Sequence, residues 1–430
     1  MNDSVSISKT GSPGDKGTSG SPAEQALPRE QQKILLLENI HAAAEENFRT
    51  GNFDMIEIFS GSPAEDRLIE MLRDVHILGI RSKTQVTKRL LDSAPNLLAV
   101  GCFCIGTDQV DMDAATRKGV AVFNAPFSNT RSVAELTIAE VVMLARRAAQ
   151  RSMELHHGQW EKSAAGCMEV RRKTIGIVGY GHIGPQVGLL AESLGMRVVF
   201  YDILKKLPLG NARQLLSLED LLKVSDFVTL HVPDTSLTRG MISRDQLQMM
   251  PKGSYLLNLS RGSVVDIGAL RDALVSGHLA GAAVDVFPKE PSSRKDPFES
   301  ELCGLDNVIL TPHIGGSTEE AQRNIGLEVS DALISYAQTG SSTNCANLPE
   351  VQLPEIEDSY RVINIHRDMP GVLSRINGLI AEMSVNIKAQ SYNTRNGVGY
   401  LIMDVERSLS RAVGKKIEAL DSSIRTRLLF

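Results

Sequence analysis

An apolar run, Thr174-Ile-Gly-Ile-Val, leads directly into Gly179-x-Gly181-x-x-Gly184 and then into an amphipathic stretch that ends at Gly195. A second apolar run, Arg197–Tyr201, follows and ends on Asp202, 18 residues beyond Gly184. No other segment restricts the fold so strongly, because strand, tight glycine turn, helix and second strand in this order describe a parallel β-α-β unit. The three-glycine pattern alone is a weak signal, and its position between strand and helix is what strengthens it. Glycines there let backbone N–H groups approach a pyrophosphate at the positive end of a helix. An acid at about this spacing accepts hydrogen bonds from ribose hydroxyls and repels a 2′-phosphate. The stretch therefore predicts a dinucleotide site containing Gly179, Gly181, Gly184 and Asp202, with NAD favoured over NADP. Pro185 is tolerated because the first helical turn has no use for its N–H. Lys205 and Lys206 read as a solvated turn.

The rest of the chain supports an α/β enzyme. Hydrophobic residues make up 42% of the 430, enough for a sizeable core, and 46 basic against 51 acidic side chains leave a net charge of −5. That balance argues against a basic nucleic-acid-binding stripe, and 4% aromatics disfavours a stacking platform for single strands. No apolar run approaches the roughly 18 residues of a membrane span. Five cysteines without framework or metal-ligand spacing, Cys102 and Cys104 standing as C-x-C, read as free thiols in a reducing cytosol. No metal site is expected. Residues 1–32 are rich in Ser, Gly and Pro, with neither an apolar signal core nor an Arg-rich, acid-poor presequence, and are expected to be a disordered cytoplasmic tail.

From Lys33 onward apolar runs alternate with helical stretches: 33–37, 75–80, 97–101 and 120–123 read as buried parallel strands. A long amphipathic helix is predicted from about Ser132 to Arg151. The second series continues from Thr174 through runs at 227–230, 254–258, 281–286 and 308–310, then a helix over 318–338. A Pro-bearing linker at 346–358 precedes a β-α-β-β-α-β pattern over 359–430, a ferredoxin-like unit.

Three strand ends carry the candidate chemistry. Asn258-Leu-Ser-Arg261-Gly, Gly281-Ala-Ala-Val-Asp285-Val-Phe-Pro-Lys-Glu290-Pro and Leu310-Thr-Pro-His313-Ile-Gly-Gly-Ser-Thr each follow an apolar run, where ligands of open α/β sheets collect. Moving a hydride to or from an alcohol carbon needs a group that takes or gives the hydroxyl proton, and a His raised in pKa by a carboxylate suits it. A 2-hydroxy acid also needs a fixed cation, and the planar fork of Arg fits a carboxylate. Taken singly, each residue could be an ordinary surface or turn side chain. Together, downstream of the glycine loop, Arg261, Glu290 and His313 are candidate catalytic residues. Arg81-Ser82-Lys83 and Asn129-Thr-Arg131 follow strand ends of the first series and would face the same cleft.

In this motif order, and in the stretches Gly101-Cys-Phe-Cys-Ile-Gly-Thr-Asp-Gln-Val-Asp111 and Phe123-Asn-Ala-Pro-Phe-Ser-Asn-Thr-Arg-Ser-Val-Ala-Glu-Leu136, the chain resembles the D-isomer-specific 2-hydroxyacid dehydrogenases. It is most similar to members that bear an ACT domain and act on 3-phosphoglycerate. The resemblance spans residues 33–430 and implies two doubly wound parallel-sheet, Rossmann-like domains plus a C-terminal ferredoxin-like ACT domain. The substrate-binding domain would be discontinuous, 33–130 with 312–345, around an NAD-binding domain at 131–311, the two helical crossovers serving as hinge. By resemblance Arg261 holds the substrate carboxylate and carbonyl, His313 exchanges the proton and Glu290 keeps its pKa high. Cofactor contacts would come from His182, Ile183, Asp202, Val232, Leu259, Ser260, Arg261, Asp285, His313, Ile314, Gly315 and Gly316. The substrate phosphate would meet Arg81, Ser82, Lys83, Asn129 and Arg131.

The resemblance further implies a homotetramer, with Trp160 and Lys162 reaching a neighbouring subunit. It also implies an L-serine effector between paired ACT domains at His366, Asp368 and Asn386. Asp368 stands where an Asn is expected, and an acceptor-only carboxylate would repel serine's own carboxylate. Two other functions fit the same residues: a dehydrogenase for another 2-hydroxy acid, such as the 2-hydroxyglutarate/2-oxoglutarate pair, and an NAD-sensing corepressor or scaffold.

Overall fold

The computed structural model describes residues 24–25, 28–291, 296–354, 359–406 and 410–429. It contains three sheets. Fully buried apolar tetrapeptides form the inner strands of the first, Ile34–Leu37, Ile77–Ile80 and Ala99–Cys102, as both faces of a parallel sheet are covered by helices. All five strands are parallel, in the spatial order Ile56–Phe59, Ile34–Leu37, Ile77–Ile80, Ala99–Cys102, Ala121–Asn124. Ile56–Phe59 is an edge strand that the apolar runs do not reveal, because Glu57 interrupts it and its four residues stay partly or fully exposed.

The second sheet has seven parallel strands, ordered Val308–Leu310, Leu279–Val284, Ser254–Asn258, Phe227–Leu230, Thr174–Val178, Arg197–Tyr201, Arg213–Gln214. The connections reverse direction between Thr174–Val178 and Phe227–Leu230, opening a crevice at the carboxyl ends of these two strands. The helix expected over 132–151 is two helices, Thr130–Arg146 and Ala148–His156, separated by Arg147 in a left-handed conformation (φ 52°).

The third sheet is antiparallel through its four long strands, ordered Ser423–Leu429, Ser359–Arg367, Val398–Glu406, Ile387–Arg395, and two helices cover one face. Much of its other face is buried as well, along the strands Ser359–Arg367 and Val398–Glu406. Ile363, Ile365, Tyr400 and Ile402 pack into the same apolar cluster as Ile34, Phe48 and Phe123 of the first sheet and Ile325, Val329 and Leu333 of the helix Glu319–Thr339.

Two expectations about connecting segments change. Residues 1–23 lie outside the described residues, but the end of the expected tail is not shapeless: Glu24–Gln25 add a short strand parallel to Arg427 and Leu428, and Arg29–Gln31 form a 3-10 turn. The described part of the 346–358 linker is also tied down. Asn347 exchanges hydrogen bonds with the backbone of Val120 and Val122, and Leu348 and Val351 are buried. Apolar side chains packed against a sheet outweigh the breaking tendency of Pro349.

Candidate active site

The glycine loop lies at the crevice. Gly179 has φ 93°, and a Cβ there would lie 2.3 Å from the His231 carbonyl oxygen and 2.9 Å from Val232, so only glycine fits and Val232 belongs to the same wall. A Cβ at Gly184 would sit 2.4 Å from the Gly179 carbonyl oxygen. At Gly181 a Cβ would meet nothing within 4 Å, so the loop is open on the side a ligand would use. The helix Ile183–Ser193 starts here, and the His182 side chain does not cap it. Its first N–H groups thus remain for an anion. Asp202 accepts N–H bonds from Tyr180 and from Leu204, each at 2.9 Å, which fixes its carboxylate between glycine loop and second strand. These residues fit a dinucleotide.

Across the same sheet edge, one buried carboxylate organises the loop that carries His313. Asp285 accepts Thr311 Oγ1 at 2.6 Å and the N–H groups of Ile314 and Gly315, both at 2.8 Å. The intervening His313 is held at φ 54°, an unusual conformation for a non-glycine residue. Its Nδ1 lies 2.9 Å from Glu290 Oε2. That hydrogen bond raises the His313 pKa above its ordinary value, burial opposing in part. Burial alone would push Glu290 up, but the His313 hydrogen bond and charge, the Phe287 N–H and the Arg261 charge together hold it below the usual range. The His313 side chain keeps 52% of its surface exposed, so its other nitrogen can meet a substrate.

Arg261 stands on the neighbouring loop. Asn258, wholly buried, donates to the Arg261 carbonyl at 3.0 Å and accepts from the N–H and hydroxyl of Ser260, while Arg261 Nη1 donates to the Ser260 carbonyl at 2.8 Å. Leu259 lies beside Gly315.

The first domain contributes the opposite wall. A cavity of about 500 Å3 is lined by Lys83 together with Glu290, His313, Phe287 and Phe298. Neither Arg81 nor Lys83 has a side-chain hydrogen bond or ion pair among the described residues. Arg131 is different: its Nε is 2.6 Å from Glu135 of the next helical turn. Asn129 is buried, its Nδ2 packs against Gly316, and its Oδ1 has no hydrogen-bond partner among the described residues. Phe127 and His182 meet across the cleft with ring centroids 3.7 Å apart, and Ser132 and Thr318 join the two crossovers by a 2.8 Å hydrogen bond.

A match to the D-isomer specific 2-hydroxyacid dehydrogenase NAD-binding domain covers residues 138–315, and one to the AHAS small subunit-like ACT domain covers 363–425. The chain is 52% identical to D-3-phosphoglycerate dehydrogenase of Dictyostelium discoideum over 405 residues, covering 94% of this chain and 99% of that one. It is 50% identical to the Escherichia coli K12 D-3-phosphoglycerate dehydrogenase over 410 residues, 95% of this chain and 100% of that one. The chain belongs to the D-3-phosphoglycerate dehydrogenase family. Among solved structures, D-lactate dehydrogenase from Aquifex aeolicus, complexed with NAD and lactic acid, superposes with TM-score 0.62 at 26% identity, covering 74% of this chain and 100% of that one. D-2-hydroxyisocaproate dehydrogenase gives TM-score 0.66 at 25% identity with the same coverage. The chain is thus an NAD-dependent dehydrogenase, and the open loop at Gly179, Gly181 and Gly184 and the fixed carboxylate of Asp202 fit that cofactor. Among the described residues no helix is long and apolar enough to cross a membrane, and no cluster could hold a metal ion.

For the expected effector residues, the D-3-phosphoglycerate dehydrogenase fold gives a divided answer. His366 is buried, its Nδ1 2.8 Å from Asn364 Oδ1, and Asp368 is exposed close by. Asn386 is not with them. His366 pairs with Gly399, whereas Ile387 pairs with Val405 at the other end of that strand, so one chain holds them roughly 20 Å apart.

Two residues near the site are not evident from motif order. Glu38, at the end of the strand Ile34–Leu37, accepts N–H bonds from Arg81, Lys83 and Thr84. An acid closing an apolar tetrapeptide was the available signal. Glu140 is 1% exposed, neither carboxylate oxygen has a partner among the described residues, and burial, with Asp285 nearby, raises its pKa to about 8. Its neighbours in sequence look like any helix, so only packing reveals it.

Proposed function

We propose that the chain oxidises 3-phospho-D-glycerate to 3-phosphohydroxypyruvate with NAD, the entry to L-serine synthesis. The observation that carries this reading is the His313–Glu290 pair beside Arg261, in a chain about half identical, end to end, to D-3-phosphoglycerate dehydrogenases.

Arg261 grips the substrate carboxylate and the oxygen at the reacting carbon. Because Nδ1 of His313 faces Glu290, Nε2 takes the hydroxyl proton during oxidation, and Glu290 stabilises the imidazolium that results. NAD, when bound, supplies the hydride acceptor. For reduction the same imidazolium returns the proton. Arg81, Ser82 and Lys83 receive the phosphate, and Arg131 joins them by exchanging Glu135 for it. Closure of the two domains excludes water from the cleft.

The assembly we propose is a homotetramer. The helix Ala148–His156 buries no residue, Met153 and Leu155 are exposed, and Trp160 is 81% exposed, so this arm suits a second copy. At the ACT sheet, Glu24–Gln25 cover one edge and leave Ile387–Arg395 as the other. Antiparallel pairing of two such edges would set Asn386 of each chain near His366 and Asp368 of the other, where L-serine would bind.

NADH oxidation with 3-phosphohydroxypyruvate, with and without L-serine, tests both statements. Turnover suppressed by serine supports substrate and effector together. Turnover indifferent to serine retains the enzyme and removes the effector role. A protein that binds NADH but does not turn over this substrate contradicts the reading.

A further inference from the structure

The loop that carries Arg81 and Lys83 is built around a single carboxylate. Glu38 follows the strand Ile34–Leu37 at φ 60°, its own N–H bonded to the Gly61 carbonyl at 3.2 Å, and only 7% of it is exposed. Its Oε1 accepts the N–H groups of Arg81 (3.3 Å) and Thr84 (2.8 Å), and its Oε2 that of Lys83 (3.0 Å). The Arg81 carbonyl is held from the other side, accepting from Gln109 Nε2 at 2.7 Å. Arg81 is therefore fixed through both its N–H and its C=O.

We propose that Glu38 is the positioning residue of the substrate-phosphate loop, a role that rests on the assignment of Arg81 and Lys83 to the phosphate. Three N–H groups converging on two oxygens force residues 81–84 to wrap around the carboxylate. The wrap aims the Arg81–Lys83 turn at the cleft, where Lys83 lines the cavity that also contains Glu290 and His313. The charge matters as well. A buried carboxylate this close to two cations could have paired with them and cancelled the site. Here its acceptor capacity goes to backbone N–H groups, and the two cationic side chains stay available to an anion. A neutral amide cannot replace it, since one of its two ends is a donor and would face an N–H. Glu38 touches neither the reacting carbon nor the cofactor loop, so its influence falls on the distal, phosphate end of the substrate.

The test compares reduction of 3-phosphohydroxypyruvate with that of hydroxypyruvate, which lacks the phosphate, in the full-length enzyme. Glu38→Gln is expected to raise KM for the phosphorylated substrate about tenfold or more, as a displaced anchoring group does. Its kcat, its NADH affinity and its kcat/KM for hydroxypyruvate should stay near wild type. Gln109→Leu, which releases the Arg81 carbonyl along with longer contacts to Cys104 Sγ (3.3 Å) and the Gly106 carbonyl (3.4 Å) but leaves the three Glu38 bonds in place, should shift KM in the same direction by less. Equal losses on both substrates, or no change on either, would overturn the proposal. Should Glu38→Gln fail to fold, a Gln109→Leu variant that does not discriminate between the substrates would overturn it too. Arg81→Ala and Lys83→Ala separate the two ideas. If they affect both substrates alike, the phosphate assignment fails and this role with it. If they are phosphate-selective while Glu38→Gln is not, the Glu38 role alone fails.

Discussion

In the mechanism we propose, a carboxylate facing an imidazole at 2.9 Å sets the pH behaviour. In the reducing direction His313 must arrive protonated, so the rate should fall as pH rises through its raised pKa, and in the oxidising direction it should climb through the same value. Glu290→Gln removes the cause of the shift and should move both limbs down toward about 6.5, the ordinary value for His. His313→Ala should cut turnover by roughly 10²–10⁴-fold while NADH still binds, as measured by NADH fluorescence titration. Retained activity would remove the acid–base role. Glu140 makes a separate prediction. Its pKa is raised to about 8 by burial, with Asp285 adding to it, so the folded state holds a proton that the unfolded chain releases near its ordinary 4.5. The folded protein should then lose stability as pH rises across that window, at up to about 1.4 kcal/mol per unit. In Glu140→Gln the unfolding midpoint should depend less on pH between 5 and 8. An unchanged slope would mean that Glu140 is not protonated.

At the scale of elements, the candidate-site loops and the helix ends share one device, which is backbone polar groups satisfied by a committed side chain. Asp285 holds the His313 turn and Asn258 the Arg261 turn. The two turns also press on each other, since a Cβ at Gly262 would lie 2.0 Å from the carbonyl carbon of Phe287. Gly262→Ala must therefore push apart the segments bearing Arg261 and Glu290. We expect a loss of about 1–3 kcal/mol in stability by urea unfolding and a larger proportional loss of kcat. Wild-type kcat in a folded variant would contradict that geometry. The helix Glu319–Thr339 shows the same principle at its far end. Thr318 caps its start, and Arg427, Arg361 and Tyr400 of the ACT sheet donate to the carbonyls of Tyr336, Ala337, Thr339 and Gly340 at its finish. One rigid element thus runs from beside the His313 loop to the ACT sheet.

On the scale of the molecule, the ACT sheet is part of a shared core rather than an appendage. The apolar cluster runs without a break from the first sheet through the helix Glu319–Thr339 to Tyr400 and Ile402. Inside it lies an ion pair, Arg361 with Asp404, at 2.8 Å with 7% and 1% side-chain exposure. Burying both charges is costly, and breaking the pair is costlier because it strands one of them. Asp404→Ala should lower stability by about 3–5 kcal/mol. The double replacement Arg361→Met with Asp404→Leu should recover part of that loss in thermal unfolding. A double variant less stable than the single one would show that the guanidinium's carbonyl contacts dominate.

Local pattern carried much of this protein. Short apolar runs named the inner strands of the first two sheets, because a buried parallel strand must be apolar on both faces. Thr174 to Asp202 named the dinucleotide unit, because few residues other than glycine fit such close approaches. The order of Arg261, Glu290 and His313 at strand ends marked where we propose the chemistry, since the carboxyl edge of such sheets is where ligands meet protein. Tertiary structure decided the rest. Ile56–Phe59 and Arg213–Gln214 are strands only by pairing with neighbours, and Arg147 breaks a helix without any local breaker. Glu38 and Glu140 look like unremarked acids until groups distant in sequence close around them, the N–H groups of Arg81, Lys83 and Thr84 for one and apolar burial beside the Asp285 charge for the other. The sequence by itself determined which backbone segments could be strands, turns and helix starts, because those follow from side-chain period and glycine sterics. Which buried carboxylates hold a loop, and which stay protonated, was decided only by the packed chain, because solvation and hydrogen-bond partners exist only once it has folded.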